Sequence, residues 1–242
     1  MEKVSIIIPF YNCPFIDQAI QSALNQTYQN VEVIVVNDGS TSHTRQISPF
    51  LSKIKYIEKG HAGTASALNA GITHATGEYF AWLSSDDVFL PDKIQKQLAH
   101  MKINRTKVSH TAYKLIDGKG QNIGSPIQFH FANKQSFYKT LLKQCPVNGS
   151  TVMTHMDVFQ KVGLFDESLR FTQDYDMWLR LAKIYDFTYL KWPLIQYRVH
   201  TGMGSFKYAS GLRKETMKVM DRHRKDIKQL IIRERKKKWT NH

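Results

Sequence analysis

The chain is poor in cysteine and has no long apolar run. Its two cysteines, Cys13 and Cys145, show no metal-ligand spacing, so they predict free thiols in a reducing compartment rather than a disulfide-linked secreted fold. The apolar stretch IIIPFY near the start is far shorter than the roughly 20 residues that span a bilayer. Glu2 and Lys3 nearly cancel where a signal peptide would be cationic. We therefore expect a cytoplasmic protein.

Glycine-rich phosphate-binding loops are also missing. PFYNCP follows the first predicted strand, where a dinucleotide-binding fold would carry G-x-G-x-x-G. The P-loop pattern G-x-x-x-x-G-K-[ST] does not occur either. These absences exclude the usual NAD-dependent enzymes and P-loop NTPases, and a bound phosphate would need a metal to neutralise its charge.

Acidic residues are scarce in one part of the chain. From Lys207 to His242 there are 13 Lys and Arg against 4 acids, which is +9 of the total +14. The preceding residues carry 34 − 13 = 21 bases against 20 − 4 = 16 acids, or only +5. A basic tail suits nucleic acid, an anionic membrane surface or a polyanionic substrate equally well. A nucleic-acid-binding module is thus an alternative to an enzyme, but the charge is terminal and no RNA-binding motif is evident.

Strand and helix signals alternate through the first hundred residues. The predicted strands are 4–11, 31–36, 53–60 and 78–83; the predicted helices begin after Asn12, which we expect to act as a cap, at Thr64 and at Pro91. Such alternation predicts an α/β fold with a mainly parallel, doubly wound sheet.

The pattern loosens after about residue 105. A clear amphipathic helix is predicted at 174–185, and a basic helix from Gly211 onward whose apolar stripe is formed by Met217, Met220, Ile227 and Ile231. We expect one domain over residues 1–206, with halves 1–104 and 105–206, and a basic helical extension over 207–242.

Carboxylates follow two of the predicted strands. Asp38 stands in NDGS after the second strand, and Asp86 and Asp87 follow the end of the fourth strand in the stretch AWLSSDDVF. Parallel α/β sheets bind ligands at the carboxyl ends of their strands, and Mg²⁺ or Mn²⁺ suits one or two carboxylates together with substrate phosphates. A turn or helix cap is the simpler reading of Asp38, and a solvated cap is the alternative for the adjacent pair.

Six stretches taken in order resemble glycosyltransferase family 2. They are VSIIIPFYN, VIVVNDGSTS, GTASALNAGI, WLSSDD, GLFDESLRFTQDYDMWLRLA and YRVH, and they span roughly residues 3 to 205. The resemblance implies a GT-A fold, a three-layer α/β/α domain with a mainly parallel central sheet. It also implies an inverting enzyme that uses a nucleotide-sugar donor, typically a UDP-sugar, and Mn²⁺ or Mg²⁺ as cofactor.

The resemblance also assigns roles to individual residues. Asp174 in QDYD matches the general base, Asp87 would coordinate the metal, and His200 falls where a loop meets the diphosphate and metal. The nucleotide-binding positions are Pro9, Tyr11, Asn12, Asp38, Gly63, Asn69 and Asp86, with Asp38 on the base and Asp86 near the ribose or sugar.

Three positions depart from the family pattern. Leu68 stands where many relatives have Arg, which affects the expected nucleotide preference. Ser84 replaces an acid, and Gln173 replaces the Glu of a Glu-Asp pair, which affects the expected choice of acceptor.

The implied partners are the donor and a glycan, lipid-linked or protein-linked acceptor in cell-surface polysaccharide or glycoconjugate synthesis. The implied partners do not include nucleic acid. A peripheral position at the inner face of the membrane, through the basic C-terminus, is a further hypothesis. The alternative is a nucleotide-sugar-binding protein without transfer activity. It differs from the enzyme only in whether Asp174 acts as a general base.

Overall fold

The computed structural model describes residues 1–129, 131–203 and 208–240, and the side chains of the last helix as far as Lys237. The strands are β1 Val4–Phe10, β2 Val31–Asp38, β3 Lys55–Lys59, β4 Tyr79–Trp82, β5 Val88–Phe89, β6 Val108–Ile116, β7 Asn122–Ile127, β8 Met153–His155 and β9 Phe187–Arg198. The helices are α1 Ile16–Leu24, α2 Thr64–His74, α3 Lys93–Ile103, α4 Lys134–Leu141, α5 Val158–Val162, α6 Gln173–Ala182 and α7 Ala209–Thr240, with short 3₁₀ helices at Thr44–Phe50 and Gly149–Thr151.

One sheet contains all the strands of the described chain. Its order is β3-β2-β1-β4-β8-β6-β9-β5, with β7 paired to β6. The first four strands are parallel to one another, as the alternating pattern predicted. The other half is mixed, because β8 runs antiparallel to β4 and β6 while β9 runs parallel to β6. The two-residue strand β5, which the sequence did not suggest, pairs antiparallel with β9.

Successive residues of β1 point into two different cores. Ile7 packs in the cluster that contains Leu68 of α2 and Trp178 of α6, whereas Ile6 and Ile8 pack in the cluster that contains the apolar faces of α1 and α3. All seven residues of β1 are buried, and a fully buried Ile contributes about 1.5–3 kcal/mol. Helices therefore cover both faces of the sheet, which confirms the predicted three-layer α/β/α architecture.

One local prediction was wrong, and another was wrong at a single residue. Asn12 does not cap α1, which begins at Ile16 without a side-chain cap; its Oδ1 accepts hydrogen bonds from the backbone N–H groups of Thr41 and Ser42 at 2.8 and 2.9 Å. The predicted stripe on the last helix is wrong only at Met217, which is 58% exposed. Ile227 is fully buried, and Met220 and Ile231 pack against the same core. Helix α7 packs against α4 and α6.

The expected boundary between residues 206 and 207 lies outside the described residues. No helix in the described part of the chain is both long enough and apolar enough to cross a membrane.

Candidate functional site

Two adjoining cavities open at the carboxyl ends of β1, β2 and β4. The first has a volume of ≈ 470 Å³ and the second ≈ 310 Å³. The residues that line both are Pro9, Thr64, Ser85, Asp86 and Met203. The strand-end position predicted from the sequence is therefore where the cavities lie.

Asp38 is buried at the wall of the first cavity, and both of its carboxylate oxygens accept hydrogen bonds. Its carboxylate accepts hydrogen bonds from Lys59 Nζ at 2.8 Å and from the N–H groups of Ala62 and Gly63 at 3.0 and 2.7 Å. Burial opposes ionisation, but these donors outweigh it and lower the pKa of Asp38. His61 Nδ1 lies 2.9 Å from the same carboxylate. Asp38 therefore orders residues 59–63, and a nucleotide base would have to displace one of these partners to reach it.

Tyr11 and His61 form an aromatic wall beside Asp38. Their rings are stacked, with centroids 4.0 Å apart and planes 21° from parallel. Tyr11 is still 49% exposed, so ring surface is left for a planar ligand. Asn12 and Gly63 also line this cavity. Gly63 has a φ of 94°, a conformation that glycine adopts without strain, and its N–H donates to Asp38 at 2.7 Å.

The two adjacent aspartates have different surroundings. Asp86 lines both cavities, and its Oδ2 lies 3.1 Å from His200 Nε2, which also lines the first cavity. Asp87 is only 1% exposed; it accepts hydrogen bonds from Ser150 Oγ at 2.6 Å and from the N–H of Arg198 at 3.0 Å. Burial and the neighbouring charge of Asp86 raise the pKa of Asp87. Of the two aspartates, Asp86 faces the cavities and Asp87 lines neither of them, so the metal role of Asp87 stays a prediction.

Asn69 lies away from both cavities. Its side chain is buried and bridges α2 to the segment before α6, donating to the carbonyl of Phe165 and to Glu167 and accepting from the N–H of Phe165. It lines neither cavity, so its observed contacts support the fold, and its nucleotide-binding role stays a prediction. Leu68, beside it, is fully buried in the core.

Asp174 lies in the first turn of α6 and lines the second cavity. Burial raises its pKa to about 6, although the N–H of Tyr175, at 2.7 Å, favours the ionised form. Gln173 lines the same cavity and is neutral, and its Oε1 has no hydrogen-bond partner among the described residues. A carboxylate with this pKa can accept a proton near neutral pH.

A divalent cation has a partial set of protein ligands here. No group of three His, Cys, Asp or Glu that could hold a metal occurs among the described residues. Asp86 and His200 are a pair of oxygen and nitrogen donors that face the first cavity. This set fits Mg²⁺ or Mn²⁺ bound by one or two protein groups and completed by substrate phosphates.

Several lining residues were not predicted as site residues. The first cavity also contains His61, Arg170, Phe171, Met203 and Tyr208, and the second contains Trp82, Asn148 and Tyr197. Arg170 and Phe171 lie just before the QDYD stretch, separated from it by Thr172, so their proximity to Asp174 was a usable signal. Tyr208 lies at the start of the basic tail, where nothing in the sequence pointed to a cavity.

Curated relatives of this chain are named glycosyltransferases. It is 40% identical over 203 residues to an uncharacterized glycosyltransferase of Rickettsia prowazekii (strain Madrid E), covering 81% of this chain and 64% of that protein. It is 32% identical over 184 residues to the UDP-Glc:alpha-D-GlcNAc-diphosphoundecaprenol beta-1,3-glucosyltransferase WfgD of Escherichia coli, covering 74% and 70%. The chain thus spans somewhat less than two thirds of the Rickettsia protein.

Solved structures and a family model point the same way. S. aureus TarS 1-349 in complex with UDP-GlcNAc matches with a TM-score of 0.72 at 19% identity, covering 90% of this chain and 65% of that one, which shows a shared fold. Residues 5–164 match the model described as glycosyl transferase family 2. Because that match covers more than half of the chain, this protein belongs to glycosyl transferase family 2.

Proposed function

We propose that this chain is an inverting, metal-dependent glycosyltransferase that moves a sugar from a UDP-sugar to an acceptor hydroxyl. The observation that carries the proposal is the placement of Asp86 and Asp174. Asp86 stands where the two cavities meet, and Asp174 lines only the second. A donor in the first cavity and an acceptor in the second would meet between these carboxylates.

The first cavity suits the nucleotide. The exposed ring surface of Tyr11 offers a stacking platform for a base, and Pro9, Asn12 and Gly63 line the same space. WfgD is named for a UDP-Glc donor, and TarS was solved with UDP-GlcNAc. Both names support a UDP-sugar as the donor of this chain.

Asp86 and His200 would hold Mn²⁺ or Mg²⁺ at the donor. The bound cation would neutralise the charge that develops on the departing diphosphate, an effect of several kcal/mol. The protein's own contribution is to fix Asp86, whose backbone carbonyl accepts a hydrogen bond from Arg198 Nε at 2.9 Å.

Asp174 would act as the general base. The acceptor oxygen forms a bond to the anomeric carbon while the bond from that carbon to the diphosphate oxygen breaks, and the hydroxyl proton passes to Asp174. Attack opposite the leaving group inverts the anomeric configuration. Proton removal by a positioned base contributes typically about 10²–10⁴-fold in rate.

The acceptor would be a glycan, free or linked to a lipid or protein, in cell-surface polysaccharide or glycoconjugate synthesis. WfgD carries a diphosphoundecaprenol-linked GlcNAc in its name, which supports a lipid-linked acceptor here. The many exposed Lys and Arg side chains of α7, together with exposed Met217 and Ile232, would place the chain peripherally at the inner face of the membrane. Binding to acidic vesicles that disappears at high salt would support this location.

Nucleotide binding is the first test of the proposed function. Thermal shifts would be measured with UDP, GDP, dTDP and an oligonucleotide, each with and without Mn²⁺, and followed by a hydrolysis screen over UDP-sugars. We expect UDP to stabilise the protein only with the metal, and one UDP-sugar to be hydrolysed. Stabilisation by the oligonucleotide alone would replace the enzyme with a nucleic-acid-binding module. Donor binding without turnover of donor or acceptor would favour the inactive binding protein.

A further inference from the structure

Positive charge is scarce around the first cavity. Two carboxylates, Asp38 and Asp86, line it, and the ammonium of Lys59 is already bound to Asp38 and to the carbonyl of Gly60, both at 2.8 Å. Among the described lining residues, Arg170 is the only lysine or arginine. A nucleoside diphosphate in this cavity would bring two or more negative charges close to Asp86, so its binding requires cationic groups.

Two aromatic rings hold the guanidinium of Arg170 in position. It lies over two aromatic rings, 5.1 Å from the centroid of Tyr208 and 5.6 Å from that of Phe171. These rings are 5.4 Å apart, and both line the cavity. The side chain of Arg170 has no hydrogen-bond acceptor or ion-pair partner among the described residues, and the residue is exposed. Contacts between a guanidinium and aromatic rings leave N–H donors free for a ligand.

The backbone around Arg170 is held by the last helix. One carboxylate of α7, that of Glu215, accepts hydrogen bonds from the N–H groups of Arg170, Phe171 and Thr172 at 3.0, 2.8 and 2.8 Å. Burial opposes ionisation of Glu215, but these donors outweigh it and lower its pKa. Helix α7 also approaches Phe171 closely at Gly211, where an added Cβ would lie 2.9 Å from the ring.

We propose that Arg170 binds the diphosphate of the nucleotide donor, and that α7 and the residue before it complete the donor site by holding Arg170 in place through Glu215 and Tyr208. The planar guanidinium matches two phosphate oxygens at once. Because both aromatic neighbours and the backbone are fixed beforehand, little side-chain freedom is lost on binding. This assignment rests on the proposed function, since it needs a nucleoside diphosphate in the first cavity. It gives the basic C-terminal segment a role in binding the donor.

Calorimetry with UDP and uridine at fixed Mn²⁺ tests the assignment. Arg170→Gln should weaken UDP binding about 10-fold or more, because a charged hydrogen-bonding partner is lost, and should leave uridine binding within about 2-fold of wild type. Arg170→Lys keeps the charge without the planar fork, so its UDP affinity should fall between those of wild type and Arg170→Gln. Glu215→Gln should weaken UDP binding less than Arg170→Gln.

The matched control is Arg213→Gln, which removes the same charge from an exposed position of α7. It should bind UDP as the wild type does, and circular dichroism would verify that each variant is folded. Equal UDP affinity in wild type and Arg170→Gln would overturn the role of Arg170 while leaving the proposed function intact. An equal loss of UDP affinity in Arg213→Gln would overturn it too, because the effect would then be one of general charge. A wild type that binds no nucleoside diphosphate would overturn both proposals.

Discussion

The carboxylate of Asp176 in α6 lies 2.8 Å from Nε2 of His223 in α7. The same carboxylate receives Arg180 Nε at 2.8 Å and Arg222 of α7 at 3.0 Å. The side chains of Asp176 and His223 are only 2% and 6% exposed. Because α6 also carries Asp174, this contact docks the last helix onto the element that presents the proposed base.

The first prediction concerns the stability of that contact. Burial opposes ionisation of Asp176, but hydrogen bonding to His223 and the charge of Arg180 outweigh it and lower its pKa to about 2. The lowered pKa stabilises the fold above the unfolded value of 3.8, and this stabilisation is lost as pH falls through 2. Asp176→Asn should therefore lower the free energy of unfolding by about 2 kcal/mol at pH 7, as measured by urea unfolding. The exposed Asp221→Asn is the control, and an equal loss in both variants would contradict the docking role.

The second prediction separates the adjacent aspartates. Asp86→Asn should weaken metal-dependent UDP binding by about 10-fold or more, because a carboxylate that faces the donor cavity is neutralised. Asp87→Asn should stay within about 3-fold of wild type, since that side chain is buried against Ser150 and Arg198. Calorimetry of UDP with Mn²⁺ decides between the two. The reverse order of effects would support the metal role that the sequence predicted for Asp87.

A third prediction concerns Lys93, a fully buried lysine whose Nζ has no hydrogen-bond partner among the described residues. Its ammonium lies 4.2 Å from the Phe89 ring centroid, and burial lowers its pKa to about 7. The unfolded chain holds this proton up to about pH 10.5, so stability should rise with pH between 7 and 10.5. Below pH 7, burial of the charged lysine lowers the free energy of unfolding by on the order of 5 kcal/mol. Lys93→Met should raise the free energy of unfolding at pH 7 and reduce its increase between pH 7 and 10.5. Unchanged urea unfolding curves at pH 7 and 9 would refute it.

A fourth prediction uses the neutral amide of Gln173. A carboxylate placed beside Asp174 in the second cavity would disfavour ionisation of the base. Gln173→Glu should therefore raise the pH at which turnover reaches half its maximum, from near 6 for the wild type by about one unit. Gln173→Met, which adds no charge, is the control. A pH profile that does not move, or that moves equally in both variants, would show that the charge at position 173 does not affect the ionisation of Asp174.

Much of the fold was predictable because its first half follows local rules. β1 is a short, largely apolar run rich in β-branched residues, and such runs predict buried parallel strands with helices on both faces. The half of the sheet with mixed strand directions was harder to predict from the sequence. β5 has only two residues and exists because it pairs with β9, a contact between distant parts of the chain that carries no local signal.

The candidate site was predictable in position but only partly in detail. Strand-end logic placed Asp38 and Asp86 correctly at the cavity edge. It could not tell which of Asp86 and Asp87 faces the cavity, because that depends on Ser150 and Arg198, which arrive from elsewhere in the chain. Tyr208 was missed for the same reason, as the docking of α7 brings it to the site.

The measurement that tests the account most directly is single-turnover transfer by Asp174→Asn alongside its UDP affinity. Asparagine keeps the size of the side chain but cannot take the acceptor's proton. We predict UDP and Mn²⁺ binding within about 2-fold of wild type and transfer, or donor hydrolysis where the acceptor is unknown, slower by about 10²-fold or more. Wild-type turnover should rise as pH passes about 6, where Asp174 ionises. Full transfer by Asp174→Asn, or loss of UDP affinity in step with activity, would contradict the assignment of Asp174 as the base.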